Sequence, residues 1–164
     1  MIQELLPQAE RIAALLKARR ETVYVAEISP AVDDSATLLA VAGASAYFMG
    51  GAVVYTRASR TELLRVTEAE FAAMAGITPS TEPYAMLFAR KIRERLATTW
   101  AIGETGTAGP TGSRYGHNAG HSCIAVIGPR GERATTIETG SPDRVANMRA
   151  FTVAALDLLE KNLG

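Results

Sequence analysis

The chain has a single cysteine, no excess of charge of either sign, no long apolar run and no repeat, linker or low-complexity block. With Cys123 alone in 164 residues, neither an internal disulfide nor a cysteine-rich zinc site can form, and a reducing compartment fits. The thiol reads first as a small buried core group. Seventeen basic and 17 acidic residues balance to zero, which leaves no positive field to hold a nucleic-acid backbone. No stretch approaches the roughly 20 apolar residues that a membrane span needs, and the N-terminus alternates charge with hydrophobe instead of showing a signal peptide's apolar block. A cytoplasmic location and no membrane partner are expected. What is present is 48% apolar content, enough for one core, so a single domain over residues 1–164 is expected.

Apolar periodicity divides the chain. Ile2, Leu5, Leu6, Ala9, Ile12, Ala13 and Leu16 share one face at helical spacing, with Gln3, Glu4, Glu10, Arg11 and Lys17 opposite. Residues 22–26 form a β-branched and aromatic run that reads as a buried strand ending near Pro30. Asp33 and Asp34 are placed to start and cap a helix through Leu39 and Val41. A second strand is expected over 52–55, short helices over 60–64 and 68–74, and a longer helix from Pro83 to Leu96. A third strand starts at Trp100 and gives way to a loop of small residues from Gly103 to Gly120. Residues 123–127 and 134–139 read as a hairpin about Gly128-Pro129-Arg130-Gly131. The last helix runs from about Pro142, capped by Ser141, to Leu159, and Asp143 is a further cap for it. Strands separated by helices, then a hairpin, then a helix predict a three-layer α/β/α sandwich with a mixed parallel and antiparallel sheet.

In such sheets a site forms beyond the carboxyl ends of the strands, which directs attention to residues 27–34, 56–60 and 104–120. The last stretch contains Thr105-Gly106-Thr107-Ala108-Gly109-Pro110-Thr111-Gly112, whose small side chains let backbone amides approach an anionic or carbonyl group; a pair of tight turns explains the same string. His117 and His121 have no third ligand nearby in sequence and do not call for a metal. Arg114 and Tyr115 suit a nucleotide or a solvated loop equally well.

The segment 105–112 resembles the T-G-x-A-G-P-x-G loop of the CinA C-terminal, or nicotinamide-nucleotide amidase, family. Further blocks follow in that family's order: Ala26-Glu27, the run from Gly43 to Phe48 with Gly50-Gly51, Val53-Val54-Tyr55, Ser80-Thr81-Glu82-Pro83, Gly120 and Asp143-Arg144. Together they cover nearly the whole chain. The resemblance implies hydrolysis of the carboxamide of nicotinamide mononucleotide, without a metal or other cofactor. It also implies a serine nucleophile in an A-E-S-x-T-G-G motif and a lysine base in a Y-S-N-x-x-K segment.

Both segments are altered. The first reads Ala26-Glu27-Ile28-Ser29-Pro30-Ala31-Val32, and isoleucine has no nucleophilic atom. Pro30 lacks a backbone donor, Ala31 and Val32 stand in for glycines, and Asp33 and Asp34 bring negative charge to a helix start that would favour an anion. The second reads Tyr55-Thr56-Arg57-Ala58-Ser59-Arg60, and a guanidinium holds anions but accepts no proton. Ser29 is a substitute nucleophile only if it escapes strand alternation, which points it away from position 28. Glu27 pairs with Arg60 or Arg57, or is solvated; Tyr55 packs at a strand terminus or relays a proton. Three readings follow. The first is an impaired or repurposed amidase relative that holds a small nucleotide or anion through Glu27, Tyr55, Arg60, Thr105, Gly106, Ala108, Gly109 and Gly112. The others are an amidohydrolase acting through Ser29 or another nucleophile, and a structural module whose fold serves homo-oligomerisation.

Overall fold

The computed structural model describes residues 2–29, 32–74 and 76–164. The expectations for Pro30 and Ala31, and for the side chain of Val32, lie outside the described residues. The elements are α1 (Ile2–Arg19), β1 (Val23–Glu27), α2 (Val32–Leu39), β2 (Phe48–Val53), α3 (Arg57–Ser59), which continues as a π-helical turn over Arg60–Leu64, α4 (Glu68–Ala73), α5 (Glu82–Leu96), β3 (Trp100–Thr107), β4 (His121–Gly128), β5 (Gly131–Glu138) and α6 (Arg144–Leu163).

The five strands lie in the order β2-β1-β3-β4-β5. β1 is parallel to β2 and to β3, whereas β3, β4 and β5 run antiparallel in turn. This is the expected mixed sheet. Alternation along β1 divides the interior in two. Val23 and Val25 join Ile12, Leu16, Leu38, Trp100, Ile102 and Leu156 in a core beneath α1, α2 and α6. Ala26 faces the other way, with Phe88, Ala89, Ile92, Ala101 and Ala125 beneath α5. These are the two interfaces of an α/β/α sandwich.

Several boundaries differ from the pattern-based expectation. β3 continues through Gly103 and Gly106 to Thr107, paired with β4, so residues 103–107 are strand and the expected loop is confined to 108–120. Gly103 shows why: a Cβ there would lie 2.2 Å from the Ala85 carbonyl oxygen, so the glycine admits the close approach of α5. β2 includes Gly50 and Gly51 and ends at Val53, two residues short of Tyr55. As an edge strand it tolerates the weak propensity of glycine. α6 starts after Asp143, whose carboxylate accepts from the Ala146 amide at 3.0 Å. Ser141 accepts from the Asp143 amide one step earlier, and the helix runs on to Leu163 because Leu159 and Leu163 are both buried. Among the described residues no helix is long and apolar enough to cross a membrane.

Candidate functional site

β1 connects to β2 on one side of itself and the chain then crosses to β3 on the other, so the parallel strands have their switch point between β1 and β3. At the carboxyl end of that seam Glu27 and Glu104 are register partners. The ladder continues one step, with the Ile28 amide donating to the Glu104 carbonyl at 3.0 Å and the Val54 amide to the Glu27 carbonyl at 2.7 Å.

Glu27, Glu104 and Asp34 of α2 are all fully buried. Asp34 sits in the first turn of α2, as expected, but its side chain enters the protein instead of remaining at the helix end. The Glu27 carboxyl accepts one long hydrogen bond from the Ser35 hydroxyl, 3.4 Å, and its other oxygen has no partner among the described residues. Both Asp34 oxygens lack a bond of normal geometry, although the Thr152 hydroxyl lies near. Glu104 is better served: Ser122 donates to one oxygen at 2.5 Å and the Ser29 amide to the other at 3.1 Å. Burial pushes the Glu27 and Asp34 carboxyls far above the ordinary range, and the neighbouring acids push them further. Burial raises Glu104 as well, but its hydrogen bonds with Ser122 and Ser29 hold it to about 7. Neither arginine of the 55–60 segment approaches Glu27: Arg57 pairs with Glu68, and Arg60 donates to the Tyr84 hydroxyl.

Beside this cluster lies a cavity of about 200 Å³ lined by Ser29, Tyr55, Gly106, Thr107, Ala108, Gly109, Thr111 and Arg144. The strand alternation expected to turn Ser29 away does not operate, because β1 ends at Glu27 and the chain bends over residues 28 and 29. Ile28 is half-buried and packs with the apolar residues beneath α5. The Ser29 hydroxyl lies beside the Glu104 carboxyl without a formed hydrogen bond, and the residue is only 2% exposed. Tyr55, expected to pack, is 63% exposed at the cavity mouth because β2 has already ended.

The cavity wall is held from behind. The Asn147 amide group of α6 donates to the carbonyls of Ala108 and Ser141, each at 2.8 Å, and accepts from the Thr139 hydroxyl at 2.5 Å. Thr105 is buried and accepts from the Ser80 amide at 3.0 Å. His121 is tied to the Ser80 carbonyl at 2.8 Å and to Glu138, and His117 stacks on it at 4.2 Å. Among the described residues no three His, Cys, Asp or Glu side chains converge as metal ligands. Burial pushes the Cys123 thiol up to about 11, which keeps it protonated and unreactive.

Of the residues expected to bind a ligand, the fold brings Tyr55, Gly106, Ala108 and Gly109 together with Ser29. Glu27, Arg60, Thr105 and Gly112 do not line this cavity. Gly112 instead packs against the His117 carbonyl, where a Cβ would stand 2.5 Å away. The cation that does reach the wall is Arg144, which donates to the Gly109 carbonyl at 2.8 Å. Its position just after the Asp143 cap was readable, but nothing local in the sequence says that the start of α6 meets the 106–109 segment.

Comparison with known proteins agrees with this architecture. The CinA C-terminal domain family matches residues 6–163. A CinA-like protein of Parasynechococcus marenigrum (strain WH8102) is 35% identical over 156 residues, which are 94% of this chain and 36% of that protein. A CinA-like protein of Anaeromyxobacter dehalogenans (strain 2CP-C) is 35% identical over 149 residues, 90% of this chain and 35% of its own length. The chain thus spans about a third of these relatives, the shares being 36% and 35%. Among solved structures, the CinA superfamily protein from Enterobacter cloacae superposes with a TM-score of 0.88 at 21% identity, covering 98% of this chain and 92% of that one. The competence/damage inducible protein CihA from Agrobacterium tumefaciens gives 0.84 at 23% identity, covering 96% and 94%. At these identities the structures establish the shared fold.

Proposed function

The chain belongs to the CinA C-terminal domain family, and we propose that within it the protein is a repurposed member, which holds a small anionic or nucleotide ligand in the Ser29 cavity without hydrolysing an amide by the family's serine–lysine route. The observation that carries this reading is the fate of the two dyad positions. Ile28 is spent on apolar packing beneath α5, and the Arg60 guanidinium is held by Tyr84 and Phe71 away from the cavity. A guanidinium remains protonated at any working pH, so even a hydroxyl restored at position 28 meets no base there. What persists supports binding: the backbone of Gly106 to Gly109, the exposed Tyr55 ring and the Arg144 cation surround a space of about 200 Å³.

A second reading, an amidohydrolase acting through Ser29, is favoured by one specific feature. The Ser29 hydroxyl has no partner among the described residues and lies beside Glu104, a carboxyl raised to about 7, where general bases work well. Against it, Ser29 is 2% exposed, and both Glu104 oxygens already accept hydrogen bonds. Attack requires the cavity floor to open and Glu104 to give up a partner.

The test pairs binding with turnover on the purified chain. Nicotinamide mononucleotide and its carboxylate analogue are each titrated while the melting temperature is followed, and ammonia release is assayed in parallel. A ligand that binds only the folded state raises the melting temperature. The proposal expects a rise that Arg144→Met removes, with no ammonia above the buffer rate. Ammonia release that Ser29→Ala abolishes establishes the second reading instead. No rise with either compound counts against binding in this cavity.

A further inference from the structure

Arg60, turned away from the Ser29 cavity, lines another one of about 340 Å³ between the π-helical turn, α4, the start of α5 and the 114–115 loop. The two cavities have no lining residue in common. Three guanidiniums border it, Arg57, Arg60 and Arg114, against one carboxylate, Glu68, and three aromatic rings stand among them, Phe71, Tyr84 and Tyr115. From this arrangement we infer a second ligand site that takes a small aromatic anion, an aryl phosphate or aryl carboxylate, with the acidic group between Arg60 and Arg114 and the ring against the aromatic wall.

Each element of the site is built for that chemistry. The Arg60 guanidinium lies 5.3 Å from the centre of the Phe71 ring and donates to the Tyr84 hydroxyl, so its plane is fixed before any ligand arrives. Its buried Nε has no acceptor among the described residues. A buried donor without a partner is a standing cost, and an incoming oxygen relieves it. Arg114 is likewise preorganised, stacked at 4.9 Å on Tyr115 and donating to its hydroxyl at 2.7 Å. Among the described residues its remaining donors meet no acceptor. Arg57 is shared with Glu68, but both side chains are largely solvated, 70% and 65% exposed, and such a pair is worth little and exchanges readily. The net charge at the rim is therefore positive. Guanidinium forks match the oxygens of phosphate and carboxylate, and Tyr84 lies 6.0 Å from Phe71 at the cavity wall and 4.8 Å from Phe88 behind it, in a cluster of tilted rings that a flat ring can join. Ile77 and Pro79 supply the apolar remainder of the wall.

The site stands or falls independently of the Ser29 cavity, and the experiment keeps the two apart. The full chain is titrated calorimetrically at low ionic strength with phenyl phosphate, with benzoate, and with inorganic phosphate as the ringless arm. Phenyl phosphate is expected to saturate one site, and Arg60→Met and Arg114→Met are each expected to weaken it by about tenfold or more. Arg114 is exposed, so its replacement leaves the fold intact and guards against misreading an unfolded Arg60 variant. Glu68→Gln, which releases Arg57, is expected to tighten binding several-fold, and Arg144→Met to remove only such binding as the Ser29 cavity contributes. Binding that is absent, equal for phenyl and inorganic phosphate, insensitive to Arg114→Met, or lost in Arg144→Met overturns the proposal.

Discussion

Replacing Glu27 by glutamine removes one member of the buried acid cluster, and the structure gives both the direction and the size of the expected effect. The folded-state carboxyl is raised from an ordinary value near 4.5 to about 10, first by burial and then by Asp34 and Glu104. Between those values the unfolded chain has released a proton that the folded chain retains. Stability from this group is therefore fully present below about pH 4.5 and is lost progressively as pH rises toward 10. At pH 8 the loss has an upper bound of about 5 kcal/mol, and relaxation around the cluster brings the expected figure to about 2–4 kcal/mol. Glutamine carries no such penalty and keeps the side chain's shape. Glu27→Gln is thus expected to stabilise the protein by about 2–4 kcal/mol at pH 8 and by under about 1 kcal/mol at pH 5. Urea unfolding at the two pH values reads both numbers. The paired surface acids Glu68, Glu70, Glu132 and Glu160 are all lowered, so their contribution is lost only as pH falls below the ordinary carboxylate range and leaves this window alone. His117 acts in the opposite sense: burial lowers it, so its contribution grows as pH rises, and its exposure keeps that small. Wild-type stability that rises from pH 5 to pH 8, or a glutamine variant equally destabilised at both, refutes the argument.

Two further outcomes follow from the geometry. Gly103→Ala places a Cβ against the Ala85 carbonyl and must push α5 off the sheet, with an expected loss of about 2–3 kcal/mol in chemical unfolding; an unchanged midpoint refutes the close-approach explanation. Ile28→Ser alone is expected to give no ammonia release from nicotinamide mononucleotide, since Arg60 faces Tyr84 and accepts no proton; measurable turnover by that single variant shows that another group supplies the base.

What could be read in advance followed the range of the forces concerned. Periodicity reports a residue's own face, so the amphipathic α1, the core strands and the helix from Pro83 to Leu96 were visible, as was the mixed sheet. Gly103 and Gly106 read as loop because a glycine in a turn looks the same as one beneath a crossing helix, as Gly103 is, or against a neighbouring strand, as Gly106 is, until the partner is known. The same limit applies to the site. The 105–112 segment announced itself locally, yet Arg144 reaches it only through α6, and Arg60 leaves it only because Tyr84 and Phe71 of other helices offer a better seat. Ser29 depended on where β1 stops, a matter of a single residue.

The changes around Ile28 are coupled through charge. Asp34 enters a space already occupied by two buried glutamates, and among the described residues no lysine or arginine bonds to any of the three. Three ionised carboxylates are untenable there, so the cluster must retain protons at neutral pH. Neutral acids beside the cavity do not repel an anionic ligand, whereas ionised carboxylates would. Glu104, raised by its own burial to about 7, itself holds a proton over part of the neutral range, and in that form it takes no proton from Ser29. The cluster thus favours holding an anion in the adjacent cavity over activating the serine beside it, and Glu27→Gln separates the two: it is expected to leave anion binding unchanged at pH 7, whereas a gain in ammonia release on removing this neighbour of Glu104 would restore Ser29 as a nucleophile.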